Sequence, residues 1–398
     1  MSYITGDKQL IKEINKASIF QVVQDKGPIS RADIAKILKL TSATVSSNMS
    51  ELIQDGIVCE IGTGSSKGGR RPVLVAVSDD GVCFIGVDIH KDGVEAAIVT
   101  LKGRIVAVSE RPFLHSDGDF EHDVLACIRA AREQAADRNI RGIGIGMHGI
   151  VDTTKNISVF APAMSLRNFD LKSFIEKEER LPVYVDNDAN AMAVGESWFG
   201  EAKQTKNYVF LNVGRGIGSG IVLNGEIFRG SGFAAGEIGH IRVVDNGVKC
   251  VCGKFGCLDT VATEYSVMRD IANSIQSGVK SEITELVDGD MKAITIETVM
   301  EAAKDGDSCT LDALSKAGRY IGVAVSYVIN ILNPDMVILG GSMSLLGEYM
   351  MDSLTDAAFT LSMKECADNV RIVVSSLLER AGVIGAATLG MRNMFRRI

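Results

Sequence analysis

Three of the chain's eight cysteines stand between positions 250 and 257, with one of its five histidines just upstream. The stretch reads G-H-x9-C-x-C-G-x-x-G-C and supplies His240, Cys250, Cys252 and Cys257. Three thiols and an imidazole form a complete Cys3His set, the ligand count of a closed structural zinc site. Gly253 and Gly256 lie between the last two cysteines and permit the tight backbone that turns nearby thiolates toward one ion. Such a site braces a structure and names no activity by itself, so the activity must come from the rest of the chain.

The chain has 398 residues, enough for two or three domains. No run of eighteen uninterrupted apolar residues exists, and the most apolar stretch, Tyr320 to Gly341, is broken by Ser326, Asn330, Asn333, Pro334 and Asp335. The first residues lack a basic start followed by an apolar core, so no signal peptide is expected and a cytoplasmic location is. In that compartment reduced cysteines favour metal over disulfides. The formal net charge of −8 is uneven: residues 1–72 carry ten Lys/Arg against seven Asp/Glu, and the remainder is acidic. A basic N-terminal module on an acidic body suggests a nucleic-acid reader attached to something else.

Three helices can be read in that module. Asp7 can cap a first helix with Leu10, Ile11, Ile14 and Ala17 on one side, ended by Gly27-Pro28. Ser30-Arg31-Ala32-Asp33 reads as a capping box before Ile34, Ala35 and Leu38. Thr41 or Ser42 caps a third helix that buries Val45, Met49, Leu52 and Ile53 and stops at Gly56. Two β-like pieces, Ile57–Ile61 and Val73–Val77, flank a Gly/Ser/Lys/Arg loop, giving the layout of a winged helix-turn-helix over residues 1–72. On the third helix Ser42, Thr44, Ser46, Ser47 and Asn48 are expected to face outward, where they could bond base edges and phosphates in a major groove. Arg31, and Lys67, Arg70 and Arg71 of the loop, are further DNA-contact candidates, the arginines for a minor groove or for phosphates. A module that contacts a protein partner is the competing reading.

From about residue 80 the pattern becomes α/β. Val82–Asp88, Val94–Thr100 and Ile105–Ser109 read as strands, with a hairpin turn at Leu101 to Arg104. A helix over Asp123–Ala136 and a buried strand over Gly142–Met147 follow. The theme returns with Tyr208–Val213, Gly218–Leu223, Glu226–Phe228, long helices and the strand Met336–Leu339. Two copies of strand-strand-strand-helix-strand predict a duplicated, two-lobed α/β body with a cleft between the lobes.

Several motifs now stand in one order: Gly146-Met-His-Gly149-Ile-Val-Asp152, Asp186-Asn187-Asp188-Ala189-Asn190, Gly236-Glu-Ile-Gly-His240, the Cys3His knot, and Val337-Ile-Leu-Gly-Gly341. With the winged module in front, the chain resembles the ROK family (repressors, open reading frames, kinases) over essentially its whole length, on the repressor branch. The resemblance implies a two-lobed actin-like sugar-kinase fold, a duplicated ribonuclease H-like body. It would span residues 80–398, with one lobe of about 80–185 plus the C-terminal helix and another of about 186–382. It implies a sugar or sugar-phosphate effector and an assembly of two or four subunits. In the family's kinases the Asp of the Asn-Asp pair takes the proton of the attacking sugar hydroxyl. That base position falls on Asp188, with Asn187, Glu237, His240 and Asp259 as ligand-binding candidates.

The departures from the kinase pattern matter equally. Family kinases carry Asp-x-Gly-Gly-Thr after the first strand, where this chain has Asp88-Ile89-His90-Lys91-Asp92. Gly214-Arg215-Gly216 replaces a Gly-Thr-Gly loop, while Gly340-Gly341-Ser342 keeps the adenosine-side glycines. The sugar-facing Ala-Pro-Asn-Leu is here Ala161-Pro162-Ala163-Met164-Ser165-Leu166, and the family's Glu after the last zinc Cys is Asp259. Backbone N–H groups that would meet phosphate are shielded by side chains, so ATP binding is not expected. The expected function is a sugar-controlled DNA-binding repressor of carbohydrate-utilisation genes, with a bifunctional sugar kinase as the alternative.

Overall fold

The computed structural model describes residues 8–64, 71–113, 120–161, 164 and 166–395. By contacts the chain divides into a first unit of residues 1–188 and 382–398, and a second of residues 189–381.

The first unit opens with α1 (Lys8–Lys26), β1 (Ile29–Ser30), α2 (Arg31–Leu38), α3 (Ser42–Gln54), β2 (Val58–Thr63) and β3 (Val73–Val77). Local chemistry sets the helix starts. Ser30 Oγ accepts the Asp33 N–H and donates to the Asp33 carboxylate, and Thr41 Oγ1 accepts the Thr44 N–H. Leu40 and Lys39 form the turn between α2 and α3, with Lys39 in the left-handed region at φ 54°. Strands β1, β3 and β2 pair antiparallel as the wing, so the module's sheet extends to Val77. Phe20, Ile34, Val45, Met49 and Leu52 are buried, giving the helices their core. Asp7 and most of the wing loop lie outside the described residues.

The body of this unit comprises β4 (Val82–His90), β5 (Gly93–Thr100), β6 (Ile105–Pro112), α4 (Phe120–Glu133), β7 (Asn139–Met147), β8 (Ile150–Asp152), β9 (Ile157–Ala161), β10 (Leu166–Phe169), α5 (Leu171–Glu179), β11 (Val183–Asn187) and the start of α6 (Asp188–Trp198). Its sheet runs β11-β7-β4-β5-β6, and β8–β10 make a small separate sheet. The strands that sequence ends at Asp88 and Ser109 run on to His90 and Pro112, because the hairpin pairing continues to His90 opposite Gly93 and to Pro112 opposite Gly93.

The second unit holds most of α6, then β12 (Tyr208–Val213), β13 (Ile217–Leu223), β14 (Glu226–Ile227), α7 (Asp259–Ala262), α8 (Glu264–Gln276), α9 (Ile283–Leu286), α10 (Ile296–Lys304), α11 (Ser308–Leu332), β15 (Met336–Gly340), α12 (Gly347–Leu361), α13 (Lys364–Ala367) and β16 (Arg371–Val374). Its sheet runs β14-β13-β12-β15-β16. Numbered within each unit, the five strands follow the same path. A three-strand antiparallel meander has its first strand paired in parallel to the fourth, which pairs in parallel to the fifth.

Each sheet is coated on one face by its own helices. In the first unit α4 and α5 cover Ile85, Val87 and Ile89; in the second, α8, α10, α11 and α12 cover Val209, Leu211 and Leu339. The other faces receive a helix directly on glycines. A Cβ on Gly220 would stand 2.5 Å from the Ala189 carbonyl oxygen of α6. On the first sheet the partner is α14 (Ala381–Phe395), discussed below. Among the described residues no helix is long and apolar enough to cross a membrane.

Candidate functional site

The DNA-reading candidates separate by burial. Ser42 and Ser47 of α3 are exposed, while Thr44 and Ser46 are half-buried. Thr44 Oγ1 shares a 2.8 Å hydrogen bond with Thr41 Oγ1, and the Ser46 carbonyl accepts from Ser50 Oγ. Asn48 does not join them. Residues 45, 48, 49 and 52 form one i, i+3, i+4, i+7 stripe, and Asn48 lies inside it at 4% exposure. Its Nδ2 donates to the Thr44 carbonyl, while its buried Oδ1 has no partner. The expectation of an outward Asn48 is therefore corrected; helix periodicity puts it on the core side. Arg31 pairs with Glu60 of the wing at 2.8 Å, and Arg71 is exposed. Lys67 and Arg70 lie outside the described residues.

In the first unit a polar corner forms where β4, β7 and β11 end. Gly149 turns there with φ 99°, and a Cβ would strike the Phe160 carbonyl. Its own carbonyl accepts from Asn187 Nδ2 at 3.0 Å, which fixes the amide's orientation. Asp188 heads α6, and His148 Nδ1 lies 3.8 Å from its Oδ2. Asp88 sits on β4 in register with Gly146 and Glu95. It is only partly exposed; burial of its carboxyl pushes its pKa up to about 8, and the like charges of Asp188 and Glu95 add to the rise. Asp88 and His148 are functional candidates that sequence reasoning missed. Both stand inside the quoted motifs, but their approach to Asp188 exists only in three dimensions.

The stretch where kinases bend a phosphate loop is a plain hairpin here. Ile89 is fully buried, pairing with Val94 and Met147, and His90 opposes Gly93 across Lys91-Asp92. Pro162, Ala163 and Ser165 lie outside the described residues.

The second unit brings His240, Cys250, Cys252 and Cys257 together, their four ligand atoms all within 4.8 Å of one another. Cys252 Sγ and Cys257 Sγ are 3.7 Å apart, and Cys250 Sγ is 3.6 Å from His240 Nδ1. A tetrahedral ion with thiolates at about 2.3 Å and imidazole at about 2.0 Å requires edges of roughly 3.5–3.8 Å. The donor types and these two edges therefore fit a four-coordinate metal ion.

The backbone supports this. The Cys250 N–H donates to the Lys254 carbonyl, and the Gly253 N–H closes back on Cys250. Gly256, at φ 72°, lies so near Val244 that a Cβ would meet its carbonyl oxygen at 1.9 Å. Burial raises the thiol pKa of Cys250 and pushes that of Cys257 up to about 12, while the Lys254 backbone N–H lowers that of Cys252.

Beside the cluster, Asp259 Oδ1 accepts the Ile217 N–H at 2.9 Å and its Oδ2 stands 3.6 Å from His240 Nδ1. A side chain on Gly239 would collide with that carboxylate. The Asp259 carboxylate thus approaches the same ring nitrogen of His240 that faces Cys250 Sγ. Glu237 is exposed and heads the short 3-10 turn that ends in His240. That turn is anchored to β13, where the Ser219 Oγ and N–H both donate to the Gly236 carbonyl.

At the other end of the second sheet, Ser342 Oγ donates to the Glu264 carboxylate and the Glu264 N–H bonds the Gly214 carbonyl. A Cβ on Gly214 would crowd Ser342 Oγ. An acidic side chain therefore stands against both the Gly214-Arg215-Gly216 loop and the Gly340-Gly341-Ser342 corner. Glu264 was invisible as a site residue because nothing in its own neighbourhood of sequence marks it.

The ROK family model matches residues 84–393, and a winged helix-turn-helix DNA-binding model matches residues 14–58. A xylose repressor from Caldicellulosiruptor bescii is 34% identical over 395 residues, 98% of each chain. Among solved structures, a ROK family transcriptional regulator described as a homologue of E. coli MLC superposes with a TM-score of 0.81 at 28% identity, covering 97% of both chains. A ROK family glucokinase from Streptomyces griseus, in complex with glucose and AMPPNP, superposes at 0.72 with 29% identity, covering 78% of this chain and 99% of its own.

Proposed function

The chain belongs to the ROK family, and from that premise we propose that it is a sugar-responsive, DNA-binding transcriptional repressor of carbohydrate-utilisation genes. One observation carries the reading: a winged helix-turn-helix precedes a kinase-like body whose Asp88–Asp92 stretch is a plain hairpin and whose Gly214 loop faces an acidic side chain. Ile89 is core, and Glu264 sets a carboxylate against Gly214 and Ser342, a charge that would repel a polyphosphate approaching that loop. On this reading Ser42, Thr44, Ser46 and Ser47 approach the major groove. Arg31, Lys67, Arg70 and Arg71 supply phosphate or minor-groove contacts. A helix-turn-helix reads paired half-sites most readily as a dimer, so the working assembly is a homodimer or a pair of dimers. The protein would act in the cytoplasm, where its operator is.

His240, Cys250, Cys252 and Cys257 would hold a structural Zn2+, which when bound cross-links a loop with little core of its own. The effector is a sugar or sugar derivative, with Asn187, Asp188, Glu237, His240 and Asp259 as its hydrogen-bonding groups. Asp259 already accepts the Ile217 N–H with Oδ1, so only its Oδ2, which lies near His240, is left for a ligand.

The test is fluorescence anisotropy on duplex DNA from upstream of the chain's own coding sequence, with xylose, glucose and their phosphates as probes. Tight binding whose logarithm falls linearly with the logarithm of salt, changed tenfold or so by one probe, is the expected result. Binding that no probe alters removes the effector part; no salt-dependent duplex binding removes the repressor. The kinase reading draws on the retained Asp188 beside His148. ATP consumption with a hexose, abolished in Asp188→Asn, would restore it.

A further inference from the structure

We propose that α14 transmits the state of the Asp88–Asp188 corner to the DNA-reading module, acting as a lever over a fixed seam. The proposal rests on the effector reading above and extends it to the route of control.

The helix touches the corner with one end. Gly382, in its first turn, lies so close to Asp88 that a Cβ would stand 2.0 Å from Oδ2. Along its length it is seated backbone to backbone on the first sheet. A Cβ on Gly86 would be 1.8 Å from the Val383 carbonyl oxygen, and one on Gly144 1.7 Å from that of Ala386. Gly390 rests against the Phe84 ring. Val383, Ala386, Ala387, Thr388 and Met391 are fully buried. With its other end the helix reaches the module. Phe395 stacks on Phe20 of α1 with ring centroids 3.8 Å apart and planes within 8°. In turn α1 holds α3 through Lys12–Glu51 and Lys16–Asp55 ion pairs.

A fifteen-residue helix spans about 22 Å, and α14 carries no proline to kink it. Backbone contacts this close along the sheet-facing side leave little slack, so a shift at Gly382 is passed along the helix. The module meets the body at a second place that cannot slide. Gly81 packs against Gly56, where a Cβ would be 1.8 Å from the carbonyl oxygen, and the Ser78 N–H bonds the Ile57 carbonyl at 2.9 Å. Asp79 and Asp80 clamp that strand entry to Thr100, Arg104 and Arg138. Two attachments of unlike kind, with a pocket bordered by Lys16, Asp55, Arg141 and Phe395 beside them, define a pivot at Gly56–Gly81 and a driven point at Phe20–Phe395. A hydroxyl-bearing ligand on Asp188 changes what the neighbouring Asp88 carboxyl faces. Asp88 cannot move without pressing on or releasing Gly382.

The test is a sugar-free double-mutant cycle on the full chain, read as operator Kd by anisotropy. Gly382→Ala forces the corner end of the helix, and Phe395→Ala removes the driven contact. Gly382→Ala alone is expected to shift Kd by about 3- to 10-fold, and by less than about 1.5-fold in the Phe395→Ala background. Equal shifts in both backgrounds, or no shift in either, overturn the proposal. If Gly382→Ala does not fold by circular dichroism, Asp88→Ala, which withdraws the carboxyl without a clash, takes its place with the same criteria. Because no sugar is present, failure of this cycle is separate from failure of the effector reading.

Discussion

The two units build their polar corners from the same strand plan but hold them in different ways. In the first, Asp88, Asn187 and Asp188 stand at the ends of strands that pair with buried neighbours, so sheet and core fix them. In the second, Glu237, His240 and Asp259 are carried on a long excursion between β14 and α8. That excursion seats Ile238, Leu258 and Ala262 in the unit's core, but between them it turns Val248, Val251 and Phe255 to the outside, Val251 at 98% exposure, around the buried Cys250 and Cys257. The outward-facing stretch between those anchors cannot be held by the hydrophobic effect, and the metal ion proposed for its Cys3His set would supply there what packing does not. On that proposal one corner is set by packing throughout, and the other by packing at its ends and coordination between them.

The strongest way to break this comparison is to remove the cross-link. Cys250→Ser, or exhaustive chelation, should cost roughly 3 kcal/mol or more and lower Tm by about 10 °C, with loss of one bound zinc per chain by atomic absorption. A chain without zinc that melts as the wild type does would mean the loop is held by packing after all.

A paired substitution measures the same contrast in the backbone. Gly86→Ala in the first unit drives a methyl into the Val383 carbonyl and should cost about 2–3 kcal/mol in denaturant unfolding. Gly253→Ala in the metal loop meets nothing within 4 Å and bears only the strain of φ 87°, about 1 kcal/mol. Equal costs would show that the two corners are equally close-packed.

A third test, on pH dependence, sharpens the electrostatics of the first corner. The Asp88 pKa is raised to about 8 in the fold from an ordinary 3.8, so the folded chain holds that proton longer than the unfolded chain. Its contribution to stability is therefore present at low pH and declines as pH rises from about 4 to about 8. Asp88→Asn should melt like the wild type near pH 4 and above it near pH 8. Melting curves for the two that stay parallel across that range would show Asp88 to be a solvated carboxylate.

Much of this was legible in the residues alone because it depends on near neighbours. The caps at Ser30 and Thr41 bond three residues along the chain, and the Cys3His spacing survives any fold that brings its ends round. The meander strands could be read because a hairpin pairs residues close in sequence. Asn48 was misplaced as outward by its polar chemistry, although its position completes the apolar stripe of α3; type was weighed above phase. The glutamate at 264 carried no local mark at all.

By itself, then, the sequence determined the family and the reader module, and it displayed the Cys3His set and the departures from the kinase motifs, since each is a matter of which residues stand at short, fixed spacings. Tertiary structure alone decided that Asp88 is hard to ionise, that His148 faces Asp188, and that Phe395 stacks on Phe20. Those facts arise from burial and from contacts between strands and helices remote in sequence. No window along the chain contains both members of such a pair, and the desolvation and contact distances that give them consequence exist only once the chain has closed on itself.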